Sequence, residues 1–490
     1  SKSQLSAIRN STNKALSLLT GPPGTGKTYT LSSIALNNFL NKKSVLIVSS
    51  NDTALDAIQK MLSKTFEISQ EAIVRTGDAF HHKPLEYNLE NLLDQPLTND
   101  ADPNFDSVET LREHNRFINN LEKRFRKNCQ QAIRDGKFFY KYNNSSKIKK
   151  RLYSILNWIH RRRVQRSVLL YSELATIQES HALRNRLKSS YINTFLRNRF
   201  ATVLKYGRVA LSNFLHLLNC HSAGLKQDNK INLDYNTILD TFPIWLTPLD
   251  TLHQALPLKP NLFDLVIFDE SNQCNIAKSL PALYRAKRAV IIGDKHQLRI
   301  QNSLSAENDL SISKNHQLTA TDIGIYYHSN SLLDYAERAA VSVSATTNLS
   351  DQYRCHPNII AYANKHFYYN KLRIMTEKPI SETDASFEII TCKGKNKNNI
   401  NRPEADSLLM RLGQIIEYQS RLPGADRQSI GIISFFSEHL SYLEKQVLSR
   451  FDLKVLKTFD IKIGMPETFQ GQERDTILVS CVIDQNTPEP

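Results

Sequence analysis

Two short stretches of this 490-residue chain carry residue types that handle phosphate. Gly21, Pro22, Pro23, Gly24, Thr25, Gly26, Lys27 and Thr28 run consecutively and fit G-x-x-x-x-G-K-[ST] at every fixed position. Far downstream, Asp269 and Glu270 follow the apolar run Leu265–Phe268. In the first stretch the glycines let the backbone wrap an anion, so that amide N–H groups and a helix N-terminus face it. Lys27 is expected to reach the β- and γ-phosphates of a nucleotide, and the Thr28 hydroxyl to ligate Mg²⁺. Asp269 is expected to hold that metal, directly or through water, and Glu270 to act as base toward the attacking water. A lone glycine-rich loop is often only a turn, so the flanking elements decide. Here residues 16–20 read as a short buried strand. Residues 28–41 read as a helix with Leu31, Ile34, Ala35 and Phe39 on one side.

Composition bounds the rest. The length allows two or three domains, each able to bury a core. No apolar run approaches membrane-spanning length, and no signal peptide is legible, so a cytoplasmic protein (nuclear in a eukaryote), not a secreted one, is expected. The cysteines Cys129, Cys220, Cys274, Cys355, Cys392 and Cys481 are scattered without C-x-x-C spacing. That argues against a zinc ribbon or a disulfide framework. A formal charge of +15 favours a polyanionic partner, most simply nucleic acid. A generically soluble basic protein would carry the same charge.

Residues 1–95 read as alternating β and α, with strands at 44–49 and 72–75 and a helix at 53–62. Residues 96–235 change character: glycine becomes scarce and apolar positions recur at helical spacing, as in Leu111, Phe117, Leu121, in Leu152, Ile155, Leu156, Ile159 and in Leu169, Leu174, Ile177. A helical insertion of antiparallel helices is expected. Within it, residues 122–166 hold fifteen Lys or Arg against two acids, with Phe125, Phe138, Phe139, Tyr140, Tyr142, Tyr153 and Trp158 interleaved. Such a stretch can follow a phosphate backbone and stack bases. The plainer alternative is a solvated helix face whose aromatics fill its own core. Beyond the insertion, strands are expected at 264–268 and 289–292, a polar linker at 301–330, and then renewed alternation: helices at 358–366, 404–419 and 438–448, strands at 387–391, 430–434 and 476–483.

The order of motifs resembles the superfamily 1B helicases, in the group that holds the RNA-surveillance and flap-processing helicases. Gln4, ahead of the phosphate loop, is similar to that family's adenine-reading glutamine. Ser49, Ser50 and Asn51 with Asp56 resemble motif Ia. Asp269, Glu270 and Gln273 resemble D-E-x-x-Q, and residues 293–298 (Gly-Asp-Lys-His-Gln-Leu) resemble G-D-x-x-Q-L. Residues 352–357, with Asn364, Phe367 and Tyr368, resemble the Q-Y-R-x-H-P block. Asn401 with Glu404 and Ala405 resembles N-x-x-E-A, and residues 469–473 with Asp475 resemble motif V.

The resemblance implies an α/β protein of two RecA-like parallel-sheet lobes, with the large helical insertion in the first. Lobe 1 is expected at 1–95 and 236–325, the basic insertion at 96–235, and lobe 2 at 326–490. It implies ATP in the cleft and single-stranded DNA or RNA across the top. Gln297 would sense the γ-phosphate, Arg354 would neutralise transition-state charge, Tyr353 would stack on the base and Glu473 would hold the ribose. Ser50, Asn51, Thr247 and Asn401 would touch the strand. The implied activity is an ATP-dependent helicase or translocase moving 5′→3′, with the insertion as a clamp or as an arm for a protein partner and no membrane role. Departures from the family pattern are Ser271 in place of alanine, Arg299-Ile300 in place of a proline, and residues 434–439 where T-P-Y…Q is common. The chain starts at Ser1 with no Met and ends just after a strand-like run, so both ends read as cut from something longer, and the arginine helix of motif VI would fall just beyond Pro490. The alternatives are a nucleotide-gated clamp or scaffold that binds nucleic acid without unwinding it, and a phosphate-loop switch acting on proteins.

Overall fold

The computed structural model describes residues 1–77, 79–94, 105–144, 148, 169–222, 233–300, 304–317, 326–339, 345–376, 386–424 and 427–484. Strands β1 (Leu16–Thr20), β2 (Val45–Ser49), β3 (Ile73–Arg75), β4 (Ile244–Pro248), β5 (Leu265–Phe268), β6 (Ala289–Gly293) and β7 (Thr346–Asn348) form one sheet in the order β3-β4-β2-β5-β6-β1-β7. The pairs β1–β6, β1–β7, β3–β4 and β5–β6 run parallel. A parallel sheet is covered on both faces, which is why its strands read as continuous apolar runs. β2 and β5 are buried at every position. The chain is therefore α/β, as expected from sequence.

By internal contacts the chain divides into two compact units, Ser1–Ile34 with Leu46–Ile58 and Thr247–Pro490, and Ala35–Val45 with Gln59–Leu246. In the first unit, β1, β5 and β6 share a direction, so their carboxyl ends open on one edge. Ligands bind at that edge in open α/β sheets. A second parallel sheet, β11-β10-β12, is built from β10 (Ile430–Ser434), β11 (Lys462–Gly464) and β12 (Thr476–Ser480). Its core is Ile430 and Ile432 packed with Ala405, Leu409, Leu412, Leu443 and Val447 from the helices Arg402–Ser420 and Ser437–Arg450. Between the two sheets in sequence, β8 (Asp351–Gln352) and β9 (Arg373–Ile374) pair in parallel.

The second unit is mostly helical. Helix Phe105–Asn143 lies against helix Leu169–Ser222, with Glu122 facing His181 at 3.0 Å and Asn128 facing Glu173 at 3.0 Å. One set of numbers rises as the other falls, so the two are antiparallel. The far half of the longer helix buries Ile192, Leu196, Phe200, Val203, Gly207, Leu211, Phe214 and Leu218, a stripe at three- and four-residue spacing. Phe195 meets Phe39 and Phe214 meets Trp245. The longer helix is thus anchored by one half and paired by the other. Residues 149–166, which hold the densest part of the basic window, and the expected helical positions Leu152 to Ile159 lie outside the described residues.

Several expectations need correction. Residues 387–391 make no strand: Phe387 and Ile389 stand exposed, with no ladder partner among the described residues. The linker expected at 301–330 contains the helix Ala306–Asn315, capped by Ser305. The strand expected at 476–483 ends at Ser480, because Val482 turns to φ 57° and both oxygens of Glu404 accept its N–H at 3.1 Å.

Candidate nucleotide site

The loop after β1 is fixed from both sides. Gly21 N donates to Gly293 O at the end of β6, and Leu349 N to Thr20 O. Within the loop, Thr25 Oγ1 donates to Pro22 O at 2.7 Å. Gly24 and Gly26 take φ 76° and 80°, a region that side chains disfavour, so both must be glycine for the loop to curl. Lys27 opens the helix Lys27–Leu40, and its Nζ turns back to donate to Gly21 O at 3.0 Å. The ammonium is therefore tied to the start of the loop. Pro23 and Thr28 are half-buried members of the same loop and helix start.

Asp269 and Glu270 leave β5 on the same edge. Asp269 N donates to Val48 O, and its carboxyl is buried. Burial, and next the neighbouring Glu270, push Asp269 up to about 7, against the opposing pull of Lys27. Glu270 sits at φ 49°, a left-handed conformation unusual for a side-chain-bearing residue. Gln297, in the amide orientation that satisfies both ends, donates to Glu270 Oε2 at 3.3 Å and accepts from Lys27 Nζ at 3.1 Å. Lys27, Glu270 and Gln297 thus form one hydrogen-bonded group, although 27 and 270 are far apart in the chain.

The second motif block closes over the loop. Tyr353 N donates to Gly24 O at 2.8 Å. A Cβ placed on Gly24 would lie 2.6 Å from Arg354 Cβ and 2.9 Å from Gln352 Nε2. Arg354 is ion-paired through Nε with Glu473. Tyr353 is about half exposed beside them. Gln4 Nε2 would lie 3.2 Å from a Cβ on Gly26, so Gln4 also flanks the loop.

The strand-contact candidates are not brought together in the same way. Ser50 Oγ donates to Gln273 O at 3.2 Å, near the acidic loop. Asn51 accepts from Thr53 N and caps the helix Asp52–Lys60. Thr247 is buried on β4. Asn401 is buried as the cap of helix Arg402–Ser420, accepting from Glu404 N.

Residues with no role assigned from sequence hold the motifs together. Asn272 donates to Leu298 O at 2.8 Å and accepts from Asp294 N, tying the acidic loop to the loop after β6. Ser271, the departure from alanine, donates to Ile292 O at 2.7 Å. Asp294 accepts from the Tyr368 phenol at 2.7 Å, and Gln273 meets Gln470. Burial and that carboxylate push Tyr368 above the usual phenol range. The signal available was that asparagine and aspartate flank the named motif residues; spacing alone does not say what they bind.

For a divalent cation, Thr28 and Asp269 offer one hydroxyl and one carboxylate. Among the described residues no group of three or more His, Cys, Asp or Glu could hold a metal alone. Two hard oxygen donors suit Mg²⁺, which commonly takes its remaining ligands from phosphates and water. The donor set therefore fits Mg²⁺ bound together with a nucleotide.

A glycine-rich loop between a buried parallel strand and a helix, with a buried lysine and two carboxylates beside it, defines the class: a phosphate-loop nucleotide-binding protein. Comparison with known proteins narrows it. A family described as AAA domain matches residues 1–299, and a second one with the same description matches residues 328–489. An uncharacterized ATP-dependent helicase of Mycoplasma pneumoniae is 25% identical over 260 residues, covering 50% of this chain and 22% of that protein. Helicase SEN1 of Saccharomyces cerevisiae is 23% identical over 517 residues, covering 99% of this chain and 21% of that protein. An uncharacterized ATP-dependent helicase of Methanocaldococcus jannaschii is 21% identical over 527 residues, 99% of this chain and 63% of that protein. The chain thus spans about a fifth of the length of the first two relatives. It belongs to the superfamily 1B helicases, within the AAA-domain family.

Proposed function

We propose that this chain is the motor core of a nucleic-acid-dependent ATPase that moves along single-stranded DNA or RNA, 5′→3′ by family likeness. Lobe 1 is assigned to 1–95 and 236–325, the basic arm to 96–235 and lobe 2 to 326–490. The observation that carries the reading is the hydrogen-bonded group of Lys27, Glu270 and Gln297, with the Arg354 segment packed over Gly24. Lys27 lies where it can leave Gly21 O for a phosphate oxygen. Glu270 would take the proton of an attacking water. Gln297 touches both, so loss of the γ-phosphate would be felt in the loop after β6. Arg354 would release Glu473 to meet developing charge, freeing Glu473 for the ribose, while Gln4 and Tyr353 hold the base. Mg²⁺ held by Thr28 and Asp269 would draw charge from the phosphates. The basic helix pair would add phosphate contacts along the strand. Among the described residues no helix is long and apolar enough to cross a membrane.

The test is steady-state ATP hydrolysis with no polymer, with single-stranded DNA and with single-stranded RNA. Turnover is expected to rise with one polymer, and to fall at least ~100-fold in Lys27→Ala, Glu270→Gln and Arg354→Ala, a transition-state loss of about 2.7 kcal/mol. Chelation of divalent metal is expected to abolish it. Turnover unchanged in any one variant would remove that residue's role.

A further inference from the structure

A run of exposed rings lies beside the loop after β6, outside the nucleotide site. Helix Pro357–His366 presents Ile359, Tyr362 and His366 at helical spacing, and Ile359 and Tyr362 are 50% and 68% exposed. The Tyr362 and His366 rings lie 4.5 Å apart. Phe367 follows, 6.3 Å from Tyr362 and 6.0 Å from His296. The rings therefore form a continuous series from His366 through Tyr362 and Phe367 to His296. Contiguous exposed apolar surface of this kind marks interaction sites.

Charge selects the partner. Residues 352–376 contain five Tyr or Phe and four Lys or Arg, with no Asp or Glu. Two of those cations are committed, Arg354 to Glu473 and Arg373 to Asp351. Lys365 and Lys371 are exposed, as is Lys295 next to His296, and none of the three enters an ion pair among the described residues. The carboxylates near these rings are already engaged: Asp294 is buried and accepts the Tyr368 phenol, Asp351 pairs with Arg373 and Glu473 with Arg354. The charges left unpaired beside the rings are therefore lysines, which suit a polyanion. A single strand would find π-faces for its bases and ammonium groups for its phosphates.

We infer that Tyr362, Phe367 and His296, edged by Lys295, Lys365 and Lys371, form a base-stacking platform for single-stranded nucleic acid. The inference rests on the nucleic-acid reading above and adds a site to it. Since the platform touches Asp294 and its loop, a strand seated there would press on the same loop that carries Gln297.

The test is equilibrium binding of a short fluorescent oligothymidylate to the 490-residue chain and its Tyr362→Ala, Phe367→Ala and Tyr362→Phe variants. Affinity is expected to fall about tenfold or more in each alanine variant, since one stacked base is lost. Tyr362→Phe keeps the ring and is expected to bind like the parent. Turnover of ATP without polymer is expected to be the same in all four, which separates a lost platform from a misfolded chain. Parent-like affinity in both alanine variants would overturn the platform and leave the ring series as a surface for protein packing. No binding by the parent chain would overturn the nucleic-acid reading itself, and the platform with it.

Discussion

Glu270 is an L-residue held in a left-handed conformation, which costs roughly 1–2 kcal/mol. The strain turns its carboxylate toward Gln297 while Ser271 anchors the next residue to β6. Strain of this kind persists only where neighbours over-determine it, and it clusters at functional sites. Gly24 shows the opposite solution, a position where no side chain is tolerated. Its φ of 76° and the approach of Arg354 Cβ and Gln352 Nε2 leave no room for a methyl group. Gly24→Ala is therefore expected to displace the Arg354 segment, weaken nucleotide binding at least ~10-fold and destabilise the fold by roughly 1–2 kcal/mol. Titration with a fluorescent ATP analogue and urea denaturation would check the two parts. Gly136, with nothing within 4 Å, serves as the contrasting position, where alanine is expected to be neutral or stabilising.

At the scale of elements, His439 joins three of them. It lies on helix Ser437–Arg450, its Nδ1 accepts Asn401 N at 3.4 Å, and its Nε2 faces Ser480 Oγ at the end of β12 at 2.9 Å. Ser480 Oγ donates in turn to Glu404 Oε1. Burial holds His439 below the usual imidazole range, with Glu404 pulling the other way. The unfolded chain takes up a proton near pH 6.5, and the folded one does so only at lower pH. The stabilisation from neutral His439 is thus fully present above about pH 6.5 and is lost as pH falls below it. His439→Gln, which cannot titrate, is expected to flatten the fall in urea midpoint between about pH 7 and pH 5. An unchanged slope would place the acid sensitivity elsewhere. The same elements show what the sequence made legible. β1 and β10 were readable because each centres on a short apolar cluster, Leu18-Leu19 and Ile432-Ile433, close to turn residues. β7, β8, β9 and β11 were not, because these runs of two or three residues are polar or mixed and lack the apolar pair that marked β3. β4 carried no strand signal of its own, since Pro243 and Pro248 bracket its short apolar run. At the site, the motif residues could be read singly; that Asn272, Tyr368 and Gln470 bind them together could not, because those contacts join distant segments.

For the whole molecule, charge is the property that sequence and structure share. Helix Phe105–Asn143 holds nine Lys or Arg against five acids, and helix Leu169–Ser222 seven against two, so the pair carries most of the net +15. Part of this charge is internal, since Arg124 meets Glu173 and Arg199 meets Asp240. Arg126, Lys127, Arg134 and Lys137 are exposed and enter no ion pair among the described residues. A solvated helix face and a phosphate-binding face look alike in a static structure, but they differ in salt dependence. Each phosphate contact on a single strand releases counterions and steepens log K against log salt by ~0.7. Replacing these four residues with Gln is expected to leave helicity intact, since Gln propagates a helix nearly as well as Lys or Arg. If all four touch phosphate, the slope for single-strand binding should shrink by about 2 to 3. A parent-like slope with parent-like affinity would assign the charge to solvent, and the helix pair would then be an arm for something other than the strand. A slope reduced while ATP turnover without polymer stays constant would separate strand capture from chemistry. The helix pair would then hold the strand while the phosphate loop and its carboxylates turn over nucleotide.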